Sequence, residues 1–230
     1  MNKIKSFLNY FTKFEKILWS VSVVLIISAF IFLENNGLMT LIASVIGITA
    51  LLFNAKGNPI GPLLIIVFSI LYGIISFSFA YYGEMITYVG MSLPMAVLSL
   101  ITWLKNPFKG KKSQVTVNIV TKKEVAFLML LSIVVTFIFY FILKYFNTAN
   151  LILSTLSVLT SFVAAYLTFR RSPFFAFAYA LNDIVLIVMW ILASIKSLGY
   201  VSVIICFLIF LVNDTYTFIC WLKLQKKQTE

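Results

Sequence analysis

The sequence predicts an all-α, polytopic membrane protein with about eight transmembrane helices. Of its 230 residues, 62% are hydrophobic and only 11% are charged, whereas charged residues make up about a quarter of a soluble domain. Long apolar stretches recur along the whole chain, separated by short polar turns, as in bundles of membrane-spanning helices. The 18 Lys and Arg residues against 7 acids lie at the ends of these stretches. Orientation in the membrane explains that balance more simply than binding to nucleic acid.

The predicted elements follow one another with short loops. Residues 1–16 mix lysines with aromatic residues and favour a short amphipathic helix at the membrane interface. The first span is expected to be a retained helix and not a removed signal peptide. Pro94 predicts a bend in the fourth span, and residues 105–123 form a long polar loop. The eight spans are predicted at residues 17–33, 38–53, 60–80, 84–104, 124–143, 151–169, 174–195 and 200–222.

The distribution of basic residues predicts the orientation. With the N-terminus inside and eight spans, sixteen of the 18 basic residues lie on the cytoplasmic side, and only Lys144 and Lys196 lie outside. Because basic residues are retained on the cytoplasmic side, the sequence predicts a cell-membrane protein whose two termini are both cytoplasmic.

An internal repeat is predicted from similar segments in the two halves. Residues 53–59 match residues 167–173, with a base three positions before a proline in each, and residues 101–105 match residues 219–223. One span separates the two triplets of helices, so they cross in the same direction, as parallel repeats. The prediction is a 3+1+3 arrangement preceded by one extra helix. The corresponding segments are 1–37 (amphipathic N-terminus and extra helix), 38–105 (first repeat), 106–150 (basic loop and linker helix), 151–223 (second repeat) and 224–230 (basic tail).

Two spans near the end carry the same polar signature. Asn182-Asp183 is followed by Trp190, and Asn213-Asp214 by Trp221. Inserting an aspartate into the middle of a membrane helix costs about 2.5 kcal/mol or more. Two such residues in neighbouring helices therefore indicate a polar site within the bundle. One interpretation is that the asparagines bind a substrate in a central cavity and the aspartates set its polarity or charge. The other is interhelical hydrogen bonding that only holds the helices together.

Aromatic residues are candidates for stacking on a flat or cationic ring, although in so aromatic a chain such residues also face lipid or core. The candidates are Tyr72, Tyr88, Phe175, Tyr179, Trp190 and Tyr216. Trp103 and Trp221 are expected to be interfacial anchors, and Glu84 to lie at the outer interface. With no histidine, no cysteine cluster and no glycine-rich phosphate loop, no metal, cofactor or nucleotide hydrolysis is predicted.

Three segments have the pattern of a known family: Tyr82-Gly83-Glu84-Met85 through Pro94 to Trp103-Leu104-Lys105-Asn106-Pro107, Leu181-Asn182-Asp183 with Trp190, and Val212-Asn213-Asp214 with Tyr216 and Trp221. On these segments the chain resembles the PnuC-type nicotinamide riboside transporters over residues 38–223. The resemblance implies a fold related to the SWEET sugar transporters, often trimeric. It also implies facilitated uptake of nicotinamide riboside, trapped afterwards by a cytosolic kinase.

The resemblance also implies site residues. A binding-site asparagine of the family matches Asn182, a second one matches Asn213, and a first-half polar contact matches Tyr88. The tryptophans of the family's Trp-x-x-Trp motif fall on Phe175 and Ala178, so stacking falls to Phe175 and Tyr179. Relatives that carry thiamine or riboflavin share the fold, and of these only thiamine shares a cationic ring with nicotinamide riboside. Two other hypotheses stay open: a membrane enzyme with an Asp183/Asp214 dyad, and a structural or receptor-like protein.

Overall fold

The structure is a computed structural model that describes residues 10–33, 38–78, 81–195 and 201–230. In these ranges eight helical spans are long and apolar enough to cross a membrane, which confirms the predicted count; one of the spans consists of two α-helices, α4 and α5. The amphipathic segment up to residue 9, the turn at 34–37 and the turn at 196–199 lie outside the described residues. The helices are α1 Lys13–Leu33, α2 Leu38–Ala55, α3 Ile60–Ser78, α4 Tyr82–Ile86, α5 Leu93–Lys105, α6 Lys122–Tyr145, α7 Leu151–Phe169, α8 Phe174–Ser194 and α9 Val201–Thr229.

The fourth span is interrupted in its middle. Helices α4 and α5 are joined by a π-helical turn, Thr87–Ser92, and together they form the span Tyr82–Lys105. The turn ends just before Pro94, which lies in the first turn of α5. Because proline has no N–H to donate to the preceding turn, the wider π-helical hydrogen-bond pattern allows the chain to continue as one span.

We call α2, α3 and the α4–α5 span the first triplet, and α7, α8 and α9 the second triplet. In the first triplet, α3 packs against both α2 and the α4–α5 span, and in the second triplet α8 packs against both α7 and α9. The triplets meet along two contacts, α2 with α9 and α5 with α7. Helix α1 packs on α2 and α9, and α6 packs on α7. Large apolar side chains such as Phe32 stay exposed on the outside, as expected for a surface that faces lipid.

One end of the bundle collects most of the basic residues and is called the basic end. The sequence predicted only a polar loop after α5. In the structure this loop contains a β-hairpin with strands β1 Pro107–Phe108 and β2 Lys111–Val115. Lys109 and Gly110 at its tip both have positive φ, the conformation that tight hairpin turns require. The hairpin is tied to the bundle because the Val115 N–H donates to the Gly57 carbonyl at 2.8 Å.

Candidate functional site

A cavity of about 300 Å³ lies between the two triplets, and residues of all eight spans line it. This volume is at the lower end of the range of about 300–1,000 Å³ for sites that take small organic molecules. Many of the lining side chains are small hydroxyls, which suit a ligand that carries several hydroxyl groups. These are Ser44, Ser69, Ser92, Ser99, Ser154, Ser157, Ser161, Ser202, Thr40, Thr87, Thr148 and Thr168.

The charge of the cavity is opposite to that of the whole chain. Glu84, Asp183 and Asp214 line it, and none of the described residues on its wall is Lys or Arg. The sequence has 18 basic residues and only 7 acids, so nearly half of the acids face this one space. Charges inside a low-dielectric cavity act more strongly than in water. The cavity therefore favours a cation and disfavours an anion.

Asp183 and Asp214 form a close pair between α8 and α9. Both side chains are buried, with fractional exposures of 4% and 3%, and their carboxyl groups lie within hydrogen-bonding reach of each other. Asp183 Oδ2 and Asp214 Oδ1 receive no hydrogen bond from any described residue. Two carboxylates this close repel each other unless a proton or another cation lies between them. Tyr179 lies beside both aspartates.

Aromatic rings form part of the wall in the first triplet. The ring centroids of Phe68 and Tyr72 are 4.5 Å apart, those of Tyr72 and Tyr88 are 5.1 Å apart, and those of Phe68 and Tyr88 are 6.0 Å apart. All three residues line the cavity, as do Trp190 and Phe207 from the second triplet. Aromatic faces on both sides of an acidic space are suited to a flat, positively charged ring.

Asn182 lies on the cavity wall with its amide held in place. Its Oδ1 accepts hydrogen bonds from Thr160 Oγ1 at 2.7 Å and from Ser157 Oγ at 3.1 Å. Its Nδ2 has no hydrogen-bond partner among residues 10–33, 38–78, 81–195 and 201–230. Because the two hydrogen bonds to Oδ1 fix the orientation of the amide, the direction of the Nδ2 hydrogens is fixed as well. Nδ2 can therefore donate to an acceptor on a ligand.

Asn213 does not line the cavity. Its Nδ2 donates to the carbonyl of Ile209 at 2.8 Å and to Ser22 Oγ of α1 at 3.2 Å. Adjacent residues of a helix point about 100° apart, and on α9 it is Asp214 that faces the cavity. The structure therefore does not bring the two asparagines together at one place, although it brings the two aspartates together.

Four other predicted residues lie near the basic end and are not part of the cavity wall. Trp103 and Trp221 are not interfacial anchors: both are fully buried, and their rings are 5.4 Å apart. The Phe175 ring lies 4.9 Å from the Trp221 ring. Tyr216 donates its hydroxyl to Glu15 Oε1 of α1 at 3.1 Å. The candidates that do line the cavity are Tyr72, Tyr88, Tyr179, Asn182, Asp183, Trp190 and Asp214.

Glu84, Phe68 and Ser69 are cavity residues that the sequence did not single out for binding. Glu84 lines the cavity and lies in the first turn of the fourth span. It is the one acid within the fourth span, and an acid in a span is expected to face a polar cavity. Phe68 lies four residues before Tyr72, hence on the same helix face. Nothing in the sequence distinguishes Ser69 from the other serines of the spans.

Comparison with known proteins identifies the family. A family described as "Nicotinamide mononucleotide transporter" matches residues 37–223. The chain belongs to this family. A relative from Neisseria mucosa, named "Nicotinamide riboside transporter PnuC", is 26% identical over 209 residues, which cover 88% of this chain and 79% of the relative. A solved structure described as "Crystal structure of the Vitamin B3 transporter PnuC" matches with a TM-score of 0.79 and 24% identity, over 95% of this chain and 94% of that chain.

Family membership confirms the resemblance to PnuC-type proteins and the multi-pass membrane architecture. The family consists of transporters and not of enzymes, so an intramembrane enzyme built on Asp183 and Asp214 is not supported. The central cavity, lined from both triplets, is the place in this fold where a transported molecule is expected to bind.

Proposed function

We propose that this chain carries nicotinamide riboside into the cell by facilitated transport. The observation that carries the proposal is a cavity between two helix triplets that is lined by three carboxyl groups and, among the described residues, by no basic side chain. Nicotinamide riboside has a flat, cationic pyridinium ring, a carboxamide and a ribose. The aromatic rings, Asn182 and the many hydroxyls of the wall complement these three parts in turn.

The charge of the cavity favours the riboside over the mononucleotide for which the family is named. The mononucleotide adds a phosphate group, which carries about two negative charges at neutral pH. Proteins bind phosphate with Arg, Lys or helix N-termini. Glu84, Asp183 and Asp214 on the wall carry the same sign of charge as a phosphate group, so the phosphate is expected to be repelled. The same repulsion supports trapping inside the cell, because phosphorylation by an intracellular kinase converts the transported molecule into an anion.

Alternating access is proposed to arise from relative motion of the two triplets, as parallel repeats. Reciprocal hydrogen bonds between them support this relation. Trp103 Nε1 of the first triplet donates to the Thr168 carbonyl of the second at 2.9 Å, and Trp221 Nε1 of the second donates to the Asn54 carbonyl of the first at 2.7 Å. Asn54 and Thr168 both line the cavity. The Trp103–Phe175–Trp221 cluster thus holds the triplets together beside the cavity, and its separation would open the cavity toward the basic end.

The basic end is proposed to face the cytoplasm. The sixteen basic residues assigned to that side, against two on the other, support the orientation. The exposed apolar outer surface is suited to membrane lipid. Assembly into trimers stays a prediction from the family resemblance.

A binding panel on purified protein tests the substrate. Calorimetric titration with nicotinamide riboside, its mononucleotide, thiamine and riboflavin is expected to give saturable binding for the riboside and none for the mononucleotide. Glu84→Gln removes one carboxylate from the wall and is expected to weaken riboside binding about tenfold, equivalent to about 1.4 kcal/mol. Glu84→Asp keeps the charge and serves as the matched control.

The neutral, reduced form of nicotinamide riboside tests the contribution of charge to binding, because it is similar in size but has no charge on the ring. Its affinity is expected to be the same for the wild type and for Glu84→Gln, because the uncharged ring gains little from the carboxylate. Equal binding of riboside and mononucleotide would exclude the charge-based assignment. Saturable binding of thiamine alone would assign the chain to a related vitamin.

A further inference from the structure

A second cavity lies at the basic end, separate from the central one. It has a volume of about 400 Å³, is open on one side, and is lined by four parts of the chain: the residues at the start of α1, the end of α2, strand β2 and the last turns of α9. Its residues do not occur in the wall of the central cavity. The proposed transport function therefore makes no use of it.

Four lysines line this second cavity: Lys56, Lys111, Lys223 and Lys227. The one acid on its described wall is Glu15. Lys223 and Lys227 are four residues apart on α9, so their like charges lie on one helix face and repel each other. Such an arrangement is stabilised when an anion binds between the lysines.

Glu15 is already engaged and does not neutralise the cavity. Its Oε2 accepts from the Thr12 N–H at 2.7 Å and from Lys56 Nζ at 3.2 Å, and its Oε1 accepts from Tyr216. Lys111, Lys223 and Lys227 form no ion pair with any described residue. Three exposed lysines therefore line one pocket without a counter-charge from the described chain.

We propose that this cavity binds a phosphate-bearing anion. A phosphate group carries enough charge to be shared by three lysines, and ammonium groups are common phosphate ligands. Ser113 and Gln114 on β2 add uncharged side chains that can hydrogen-bond to it. A volume of 400 Å³ exceeds what an inorganic phosphate fills, so there is room for the rest of a phosphorylated small molecule or a lipid headgroup. A bound phosphate bridges β2 and α9 and stabilises the basic end.

The test measures thermal unfolding of the full-length protein in two arms. In the first arm, sodium pyrophosphate is added to protein in uncharged detergent at constant ionic strength, with sodium chloride as the reference. In the second, the protein is placed in nanodiscs of phosphatidylcholine with or without phosphatidylglycerol. A ligand that binds only the folded state raises Tm with its concentration. A rise in the first arm assigns a soluble phosphate, and a rise in the second alone assigns a lipid phosphate.

Paired variants decide whether the cavity is responsible. Lys111→Gln with Lys227→Gln removes two lysines from the wall. Lys112→Gln with Lys226→Gln removes two exposed neighbours that are not part of it. The first pair is expected to lose at least half of the Tm rise, and the second pair to keep it. If the first pair does not fold, Lys223→Gln alone replaces it. An equal rise in both pairs, or no rise in either arm for the wild type, overturns the proposal.

Discussion

The two asparagines make different hydrogen bonds, so their substitution is expected to have different effects. Asn182→Ala removes the amide that faces the cavity and is expected to weaken riboside binding at least tenfold, about 1.4 kcal/mol. Asn213→Ala removes the contact with Ser22 of α1. It is expected to lower Tm, at a cost of about 1–3 kcal/mol, and to leave the affinity of the folded protein almost unchanged.

The measurement is calorimetric affinity together with Tm for each variant. Ser22→Ala is the matched control for Asn213→Ala, because it removes the same contact from the α1 side. A large loss of affinity in Asn213→Ala at unchanged Tm would return this residue to the binding site.

At the residue scale, the two Asn-Asp pairs lie on helices that line the cavity, but one of the four side chains does not face it. Both aspartates and Asn182 reach the cavity, whereas Asn213 does not. The reason is helix rotation: hydropathy shows that α9 crosses the membrane, but nearly all of its faces are apolar. The face turned toward the cavity therefore has to be determined from packing against α1 and α2.

At the scale of elements, each helix hairpin at the basic end closes with the same backbone pattern. After α2, the Asn58 N–H donates to the Phe53 carbonyl, and after α7 the Ser172 N–H donates to the Leu167 carbonyl, both at 3.0 Å. Gly57 and Arg171 take the corresponding positive φ values of 64° and 59°. The matched segments 53–59 and 167–173 predicted this likeness. The β-hairpin bonded to the first of these turns was not predicted, because a short polar strand has no hydrophobic alternation to reveal it.

The reciprocal tryptophan bonds give the prediction that belongs to the elements. Trp103→Phe and Trp221→Phe keep an aromatic ring but leave a buried carbonyl without its donor, which costs about 1–3 kcal/mol. Both variants are expected to lower Tm by similar amounts, because each tryptophan is fully buried and donates to a backbone carbonyl of the other triplet.

Trp19→Phe is the control for these variants. Trp19 Nε1 donates to Thr49 Oγ1, a bond between α1 and α2 that does not cross between the triplets. This substitution is expected to change Tm less, since the Thr49 hydroxyl also donates to the Val45 carbonyl. A Tm loss for one of the two cluster tryptophans only, with no change for the other, would contradict the proposed equivalence of the triplets.

At the scale of the whole molecule, the helix before each triplet begins in the same way. Thr12 and Thr121 each accept, through the side-chain hydroxyl, from the N–H of a glutamate three residues later, as in a helix-capping box. Glu15 then pairs with Lys56 at the end of the first hairpin, and Glu124 pairs with Arg170 at the end of the second. In the predicted 3+1+3 arrangement, α1 is an extra helix and α6 is a linker. The shared contacts lead us to infer two halves of four helices each, residues 12–105 and 121–223.

This inference predicts that α1 is as integral to the bundle as α6. Glu15→Gln and Glu124→Gln each weaken an ion pair that joins the first turn of one helix to the following hairpin, and each is expected to cost about 1–3 kcal/mol and to lower Tm comparably. Glu230→Gln removes the same charge from the exposed terminus and is expected to have no effect. If Glu15→Gln unfolds at the same temperature as Glu230→Gln while Glu124→Gln is destabilised, α1 is an accessory helix and the arrangement is 1+3+1+3. Equal destabilisation supports four plus four, in which α1 contributes Ile26 and Ala29 to the cavity wall as part of the first half.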